Sequence, residues 1–255
     1  MIQSVVRAAE ILRALGDASP RMGVTEISER LGLAKGTVHG LLRTLEAQGL
    51  VEQDDETGKY QLGMGLFQLG NAVLENNELR SRSLVWADGL AARVQQAVRV
   101  GVLHGDHILV VHHVFRPDDS VQILEVGASI PWHASALGHA VVAHLPASRQ
   151  HRLLDAELPA LTGGTLTDAR ALEKRLAEVA AAGYAVEDQE AILGESCVAA
   201  AVFDSAGDVV GSIGVAGPAE RLVGPDGPSI DTVAAVRDSA RGLSRDLGAR
   251  WPHTG

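Results

Sequence analysis

Cysteine, aromatic side chains and long apolar runs are all scarce in this chain. Cys197 is the one cysteine among 255 residues, which excludes an internal disulfide framework. Aromatic residues make up 3% of the chain, against 46% hydrophobic and 21% charged residues, a balance typical of one large or two modest globular domains. Because the sequence has neither a membrane-spanning apolar run nor a signal-peptide pattern, we expect a cytoplasmic protein with no membrane partner.

Positive charge is also in short supply. The chain carries 22 basic and 32 acidic side chains, a net charge of −10. Such a chain is not expected to coat nucleic acid nonspecifically, so binding to DNA would need a local patch. Residues 1–44 supply one, with six basic and four acidic side chains.

The sequence motifs of the common enzyme classes are absent. Ser135 and Ser196 lie outside any G-x-S-x-G elbow, and the chain has no H-E-x-x-H, P-loop or dinucleotide fingerprint. Glu187, Asp188 and Glu190 form an acidic cluster, for which solvated carboxylates at a strand end are the favoured interpretation. We therefore predict no enzyme, no catalytic residues and no cofactor.

What is present begins with two short helices, a tight turn and a hairpin between Val24 and Leu62. Apolar residues at helical spacing predict a helix ending at Gly32 and a second from about Lys35 to Gln48. The two strands after Gly49 are separated by turn residues. This order is typical of a winged helix-turn-helix, which predicts binding to a double-stranded DNA operator.

The outward face of the second helix carries the predicted DNA contacts. Because its apolar residues form one stripe, the opposite face must meet solvent or a groove. We predict that DNA is contacted from this helix by Lys35, Gly36, Thr37, His39, Gly40 and Arg43. Two glycines on one helix face predict close approach of the helix backbone to the DNA; the alternative is a weak helix in which neither glycine matters.

The hairpin is the predicted wing, and its tip is acidic. The tip should point away from phosphate, which leaves Lys59 and Tyr60 as the predicted backbone contacts.

Helical patterns flank this motif. Ser4 to Gly16 predicts a helix that completes a three-helix core, and Met64 to Asn76 predicts another. A polar stretch, NNELRSR, then joins it to a helix from Leu84 to Gln96. We interpret the Met64 helix as a connector and dimer surface; an ordinary packed helix is the alternative.

From Ala97 onward the periodicity becomes strand-like. Three strands (AVRVGVL, HILVVHHVF and VQILEVG) precede two helices (ASALGHAVVAHL and TDARALEKRLAEVAAAG, the latter capped at Thr167). Three more strands (YAVED, CVAAAVFD and VVGSIGVAG) and a helix from Ile230 to Leu247 follow. This order predicts an α+β domain built on a mixed sheet.

These segments resemble the IclR-type bacterial transcriptional regulators. The resemblance is carried by GLAKGTVHGLLRTLEAQGLVEQD, GKYQLG, HHVFRPDDS, LEVG, HASALGHA, GESCVAAAVFD and AGPAERL, nearly end to end. It implies a DNA-binding domain over residues 1–62, a linker helix over 63–79 and a GAF-like effector domain over 80–250. It also implies homodimers or tetramers whose affinity for DNA is controlled by a small metabolite.

The resemblance further implies where that metabolite binds. The effector pocket is expected beside Ala136, Leu137, Glu187, Asp188, Cys197, Gly214 and Ala216. Similarity to the branch that controls glycerol operons implies glycerol or glycerol 3-phosphate as effector, with Arg116, His133 or His139 as the cation for a phosphate.

Two departures from the usual family pattern fall on the second helix. Gly36 stands where relatives commonly have Ser, and Gly40 where they commonly have Arg. We therefore do not expect this chain to bind an operator sequence that is shared across the family.

Ten histidines raise the question of a metal site. His112 and His113 are neighbours on a predicted strand, so they face opposite sides and cannot easily share one ion. His112 with His104 or His107 is the remaining option, but polar positions on a half-exposed hairpin are favoured, and we predict no metal. For Cys197, a pocket wall and a buried structural thiol are both open.

The favoured interpretation is a symmetric repressor that binds a near-palindromic operator and releases it when the metabolite binds. An activator of a different catabolic operon is the alternative in the same class. From another class, the alternative is a ligand-binding or oligomerisation module whose DNA-binding part is degenerate.

Overall fold

The computed structural model describes residues 1–17, 21–118, 125–224 and 227–250. The chain divides into two compact units, Met1–Asn76 and Asn77–Gly255. Within those described ranges, no helix has the length and apolar character needed to cross a bilayer.

The first unit is a helical core with a small hairpin. Its elements are α1 (Gln3–Asp17), α2 (Val24–Leu31), α3 (Lys35–Ala47), β1 (Val51–Gln53), β2 (Tyr60–Leu62) and α4 (Met64–Glu75). Ile11 of α1, Ile27 of α2 and Leu42 of α3 pack together in one buried cluster with Val51 and Tyr60. The winged helix-turn-helix predicted from the apolar spacing is thereby confirmed.

A tight turn sets the angle between α2 and α3. Gly32 adopts a left-handed conformation with φ of 63°, which a glycine accepts without a steric penalty. The hydroxyl of Ser28 donates to the carbonyl of Leu33 at 2.5 Å and holds the turn closed. The local sequence therefore positions α3 against the rest of the unit.

The second unit contains a larger sheet with helices. Its helices are α5 (Glu78–Val94), the 3-10 helix η1 (Trp132–Ala134), α6 (Ala136–Val142), α7 (Ala147–Leu154), α8 (Ala169–Ala182), α9 (Ala219–Leu222) and α10 (Ile230–Asp246). Its strands are β3 (Ala97–His104), β4 (His107–Val114), β5 (Ser129–Pro131), β6 (Ala185–Asp188), β7 (Glu195–Phe203), β8 (Val209–Pro218), β9 (Val223–Gly224) and β10 (Gly227–Pro228).

Six of these strands form one sheet in the order β5-β4-β3-β8-β7-β6. Every pairing in it is antiparallel. The predicted α+β class is confirmed, but the sheet is antiparallel and not mixed. Hairpins join β3 to β4 and β7 to β8, and these short connections allow only antiparallel neighbours.

Both faces of the sheet centre are covered. Cys197, Ala199 and Ala201 of β7 pack with α6. The residues of β7 between them are also buried, because α10 packs against the same strand and against α5. Strands buried on both faces explain why these segments read as continuous apolar runs.

Several boundaries differ from those predicted. Helix α5 begins at Glu78 and not at Leu84, because the side chain of Asn77 accepts a hydrogen bond from the backbone N–H of Arg80 and caps it. Asp168, not Thr167, caps α8 by accepting from the N–H of Ala171 at 2.8 Å.

Six short elements of the described residues were not predicted, and one predicted strand cannot be compared. The unpredicted elements are too short to carry a clear periodic signal; they are η1, α7, α9, β5, β9 and β10. The predicted strand VQILEVG covers residues 121–127, of which 121–124 lie outside the described residues.

Candidate functional site

Helix α3 presents one face to solvent and buries the other. Val38, Leu42 and Leu45 are buried in the core of the first unit. The predicted DNA contacts lie on the other side: Lys35, Gly36, His39, Gly40 and Arg43 are exposed, and Thr37 is half-buried. A continuous outward surface with cationic and polar side chains can therefore enter a groove.

The two glycines of this face have open space above them. A Cβ atom placed on Gly36 or Gly40 would meet no heavy atom within 4 Å. Neither residue requires a backbone conformation reserved for glycine. The fold of the chain itself therefore supplies no reason for a glycine at these positions.

The wing is tied to the rest of its unit by ion pairs. Arg21 contacts Asp54 at 2.5 Å, and the Lys59 ammonium contacts Glu26 of α2 at 3.1 Å. Tyr60 is 2% exposed and belongs to the core cluster. This burial argues against the phosphate contact predicted for Tyr60, whose ring fills the core beneath the hairpin.

The second unit contains a cavity of about 270 Å³ on the α6 side of the sheet. It is lined by Arg99, Glu125, Ala128, Ser129, Ile130, Pro131, Ser135, Leu137, Leu161, Glu187, Ala191, Ile192, Glu195 and Cys197. Strand β3 contributes Arg99, and the loop between β6 and β7 contributes the rim. The volume corresponds to roughly nine water molecules, which suits a small ligand.

Arg99 holds two carboxylates at this cavity. Its Nη1 and Nη2 atoms donate to Glu195 at 2.7 and 3.0 Å, and its Nε and Nη2 atoms donate to Glu125. The guanidinium is buried, and the two carboxylates raise the pKa of Arg99, which keeps it charged.

Glu187 is the third carboxyl group of the cavity, and it is held by backbone N–H groups where the other two are held by a guanidinium. One of its oxygens accepts from the backbone N–H groups of Glu190 at 2.5 Å and Ala191 at 3.2 Å. Burial outweighs these bonds and raises the pKa of Glu187 to about 7. Glu187 therefore anchors the rim loop and carries a proton more readily than an ordinary glutamate.

Cys197 is both buried and part of the cavity wall. Burial raises the pKa of this thiol, so the protonated form predominates. The two interpretations left open by the sequence are therefore compatible.

Comparison with known proteins identifies both units. Residues 4–55 match the IclR helix-turn-helix domain, and residues 71–245 match the bacterial transcriptional regulator IclR C-terminal family. The chain belongs to the IclR family of bacterial transcriptional regulators.

Individual IclR-type relatives cover nearly the whole chain. The glycerol operon regulatory protein of Streptomyces griseus is 49% identical over 249 residues, which is 97% of each chain. The protein of the same name from Streptomyces coelicolor is 46% identical over 248 residues, again 97% of each chain. A crystal structure of an IclR transcriptional regulator from Alicyclobacillus acidocaldarius superposes with a TM-score of 0.82 at 30% identity, covering 96% of this chain and 98% of that one.

The residues predicted for the IclR-type effector pocket fall into two groups. Leu137, Glu187 and Cys197 line the cavity. Ala136 and Ala216 do not line it and are packed in the apolar cluster behind Cys197. Gly214 also lies outside the lining, although the sheet register places it next to Arg99.

The other predicted residues are held elsewhere in the same unit. Asp188 accepts a hydrogen bond from Ser196 at 2.6 Å and faces a different cleft, beside Arg175. His133 faces a further cleft beside Asp106, and its Nε2–H donates to the carbonyl oxygen of Pro159 at 3.0 Å. None of these residues lines the cavity.

The predicted phosphate-binding cations are likewise not in the cavity lining. Arg116 forms an ion pair with Asp118. His139 is fully buried, and burial lowers its pKa to about 4, so it carries no charge at neutral pH. Neither residue, nor His133, supplies a positive charge to the cavity wall.

Sequence reasoning missed Arg99, Glu125 and Glu195. The available signal was Arg99 itself, a charged residue in the otherwise apolar strand AVRVGVL, because a charge buried in a sheet must find a partner. Its partners are 26 and 96 residues away in the chain, so spacing gave no indication of them.

The histidines are spread over the β3–β4 hairpin. His104 and His107 face each other in the register, whereas His112 pairs with Val100 and His113 with Arg99. Across the described ranges, no group of three or more His, Cys, Asp or Glu side chains is placed to hold a metal ion.

Proposed function

We propose that this chain is a repressor of a glycerol catabolic operon. It would bind a double-stranded operator with the outward face of α3 and leave it when a small effector fills the cavity beside Arg99. The names and the 46–49% identity of the two Streptomyces relatives support the glycerol operon as target. The observation that carries DNA binding is the exposed, cationic face of α3, opposite a fully buried stripe.

In this proposal the contacts divide by chemistry. Arg43 reaches a guanine edge with its planar guanidinium, and Lys35, Thr37 and His39 contact phosphates or bases near the start of α3. Gly36 and Gly40 let the helix backbone approach the DNA. Lys59 of the wing contacts phosphate after leaving Glu26, an exposed ion pair that is worth little in water.

We propose a homodimer, in which α4 is covered by the same helix of a second copy. No residue of α4 is buried in the single chain, although the helix is mostly apolar. Met64, Phe67, Leu69 and Val73 are each 60–68% exposed. A helix with so much exposed apolar surface is expected to be covered in the functional assembly. A tetramer would then be a pair of such dimers.

In this proposal the effector binds in the cavity of the second unit and is either glycerol or glycerol 3-phosphate. The cavity is small, is lined by polar residues and by apolar ones such as Leu137 and Ile192, and lies in the unit that carries no DNA-binding motif.

We infer a regulatory and not an enzymatic role, in the cytoplasm, where the chromosome lies. The matching families are transcriptional regulators. The thiol that lines the cavity, Cys197, is kept protonated by burial, which makes it a poor nucleophile.

Gel retardation of the DNA upstream of this gene and of neighbouring glycerol-catabolism genes tests the proposal. We expect a defined complex with a modest salt dependence, and an affinity reduced at least tenfold by Arg43→Ala. Arg13→Ala removes the same charge from an exposed position of α1 and should change the affinity less than twofold.

Equal losses from both arginine variants, or no complex with any fragment, would contradict the proposal. Transcript levels after deletion of the gene decide the sign of regulation. A rise identifies a repressor, and a fall identifies an activator and overturns that part.

A further inference from the structure

The charged groups around the cavity are unequal in number. Three carboxyl groups line it, from Glu125, Glu187 and Glu195, but Arg99 is the one basic residue among the described residues that line it. Of the five N–H groups of a guanidinium, four from Arg99 are already directed at Glu125 and Glu195. The positive charge is therefore fully balanced before a ligand arrives.

This arrangement disfavours an acidic ligand. A carboxylate or phosphate group would have to share the guanidinium with two glutamates, whose side chains are only 27% and 28% exposed. Like charges that share one guanidinium repel each other more strongly in a partly buried site than in water. Displacing one glutamate would instead leave its charge partly buried without a partner.

The same arrangement suits hydroxyl groups. A carboxylate oxygen that accepts from Arg99 still has a lone pair for an O–H donor. Glu187 adds a carboxyl group whose proton can be donated, because burial raises its pKa to about 7. Ser129 and Ser135 add hydroxyl groups to the wall. The polar groups of the lining can thus satisfy several hydroxyls at once.

We propose that the effector of this chain is a small uncharged polyol, whose hydroxyl groups donate to Glu125 and Glu195 while Arg99 holds these carboxylates in place. The inference rests on the proposed function, in that the cavity beside Arg99 is the effector site, and it selects between the compounds considered there. Glu125 and Glu195 determine specificity, and Arg99 is a positioning residue.

Calorimetry on the full chain with three probes tests the selection. Glycerol, glycerate and glycerol 3-phosphate share a three-carbon skeleton and differ in charge. We expect glycerol to bind at millimolar concentrations or below, and both acids to bind at least tenfold more weakly. Tighter binding of either acid, or no binding of glycerol, overturns the inference.

A charge-changing variant provides the second test. The double substitution Glu125→Gln and Glu195→Gln removes two negative charges, yet each amide oxygen can still accept from Arg99. We expect glycerol affinity to fall at least tenfold and glycerate binding to become measurable. Glu178→Gln, at an exposed residue of α8 outside this cavity, removes one negative charge and should leave the order of the three probes unchanged. Unchanged glycerol affinity in the double variant contradicts the role of the two carboxylates.

Failure of this inference is distinguishable from failure of the proposed function. The same three probes are added to the retardation assay with the upstream DNA. If glycerol 3-phosphate releases the DNA and glycerol does not, the regulator remains and the polyol assignment is wrong. If glycerol binds the protein but no DNA complex forms, the proposed regulation fails while the ligand class stands. Should the double variant not fold, the three-probe comparison on the native chain still decides.

Discussion

At the scale of single residues, two buried ionisable groups of one cavity differ in charge, since one stays ionised and burial favours the neutral form of the other. Arg99 is buried but keeps its charge, because Glu125 and Glu195 provide hydrogen bonds and opposite charge. Glu187 is 3% exposed and has neighbouring carboxylates at Glu190 and Glu195, so burial and repulsion favour its protonated form. One cavity thus contains an arginine that stays charged and a glutamate whose proton is lost near neutral pH.

Glu187 should make the stability of the second unit depend on pH. Its pKa rises from an ordinary 4.5 to about 7 on folding, so the folded state binds the proton more tightly. The resulting contribution is complete below pH 4.5 and is lost as the pH rises to 7. It amounts to about 3 kcal/mol at most. Urea unfolding of the native chain and of Glu187→Gln at several pH values measures it.

In Glu187→Gln this part of the pH dependence should be absent, since an amide does not titrate. Glu178→Gln, at an exposed site on α8, serves as the matched control and should retain the native profile. Parallel stability profiles for the native chain and Glu187→Gln would show that Glu187 is ionised at no cost in the folded state.

At the scale of elements, α3 combines a firm core face with an intrinsically weak backbone. Val38, Leu42 and Leu45 fix the helix in the first unit. Gly36 and Gly40 each reduce helix propensity by about 1 kcal/mol relative to alanine. Because a Cβ at either site would meet nothing within 4 Å, the glycines weaken the helix without relieving any contact inside the protein. Any benefit of these glycines would then have to come from a partner.

Alanine at these positions should separate stability from function. Gly36→Ala and Gly40→Ala are each expected to raise the free energy of unfolding of the first unit by roughly 0.5–1 kcal/mol. If the helix backbone approaches DNA closely, the same variants should lower operator affinity at least tenfold. Chemical unfolding and gel retardation on the same preparations measure the two effects.

Gly89→Ala is the control for this pair. Gly89 lies within α5 and also has open space around it, so alanine should stabilise the second unit and leave DNA affinity unchanged. Undiminished affinity in both α3 variants would mean that the glycines have no part in DNA binding.

At the scale of the whole molecule, we expect the exposed apolar residues of α4 to be covered by a partner. Phe67 alone is 67% exposed, and its neighbours on the helix are similarly accessible. Burying such side chains contributes about 25 cal/mol per Å² of apolar surface. A second copy of α4 can provide this burial, and two copies would double the DNA contacts of α3.

Phe67→Glu should therefore weaken the proposed dimer. A charge placed in an apolar interface must be desolvated, so we expect a shift of the molar mass in light scattering towards that of one chain. Operator affinity should fall in parallel. Gln68→Glu adds the same charge at an adjacent exposed site that is already polar, and should change the mass less. If Phe67→Glu keeps the mass of the native protein, α4 is not the interface.

How far the sequence predicts the structure differs between the two units. The DNA-binding fold followed from local patterns: apolar spacing in α2 and α3, Gly32 at the turn, and a hairpin. The predicted start of α5 was wrong because one side-chain cap at Asn77 extended the helix through a polar stretch. The family resemblance predicted Leu137, Glu187 and Cys197, which line the cavity, but not Arg99.

The sequence by itself determined which face of α3 is outward, because helical periodicity acts over a few residues and a buried stripe leaves the opposite side free. It also determined the α+β class of the second unit. Only the tertiary structure decided that Tyr60 belongs to the core and that Arg99, Glu125 and Glu195 meet. Such contacts depend on strand register and long-range packing, and residues 26 and 96 positions apart leave no periodic mark in a sequence.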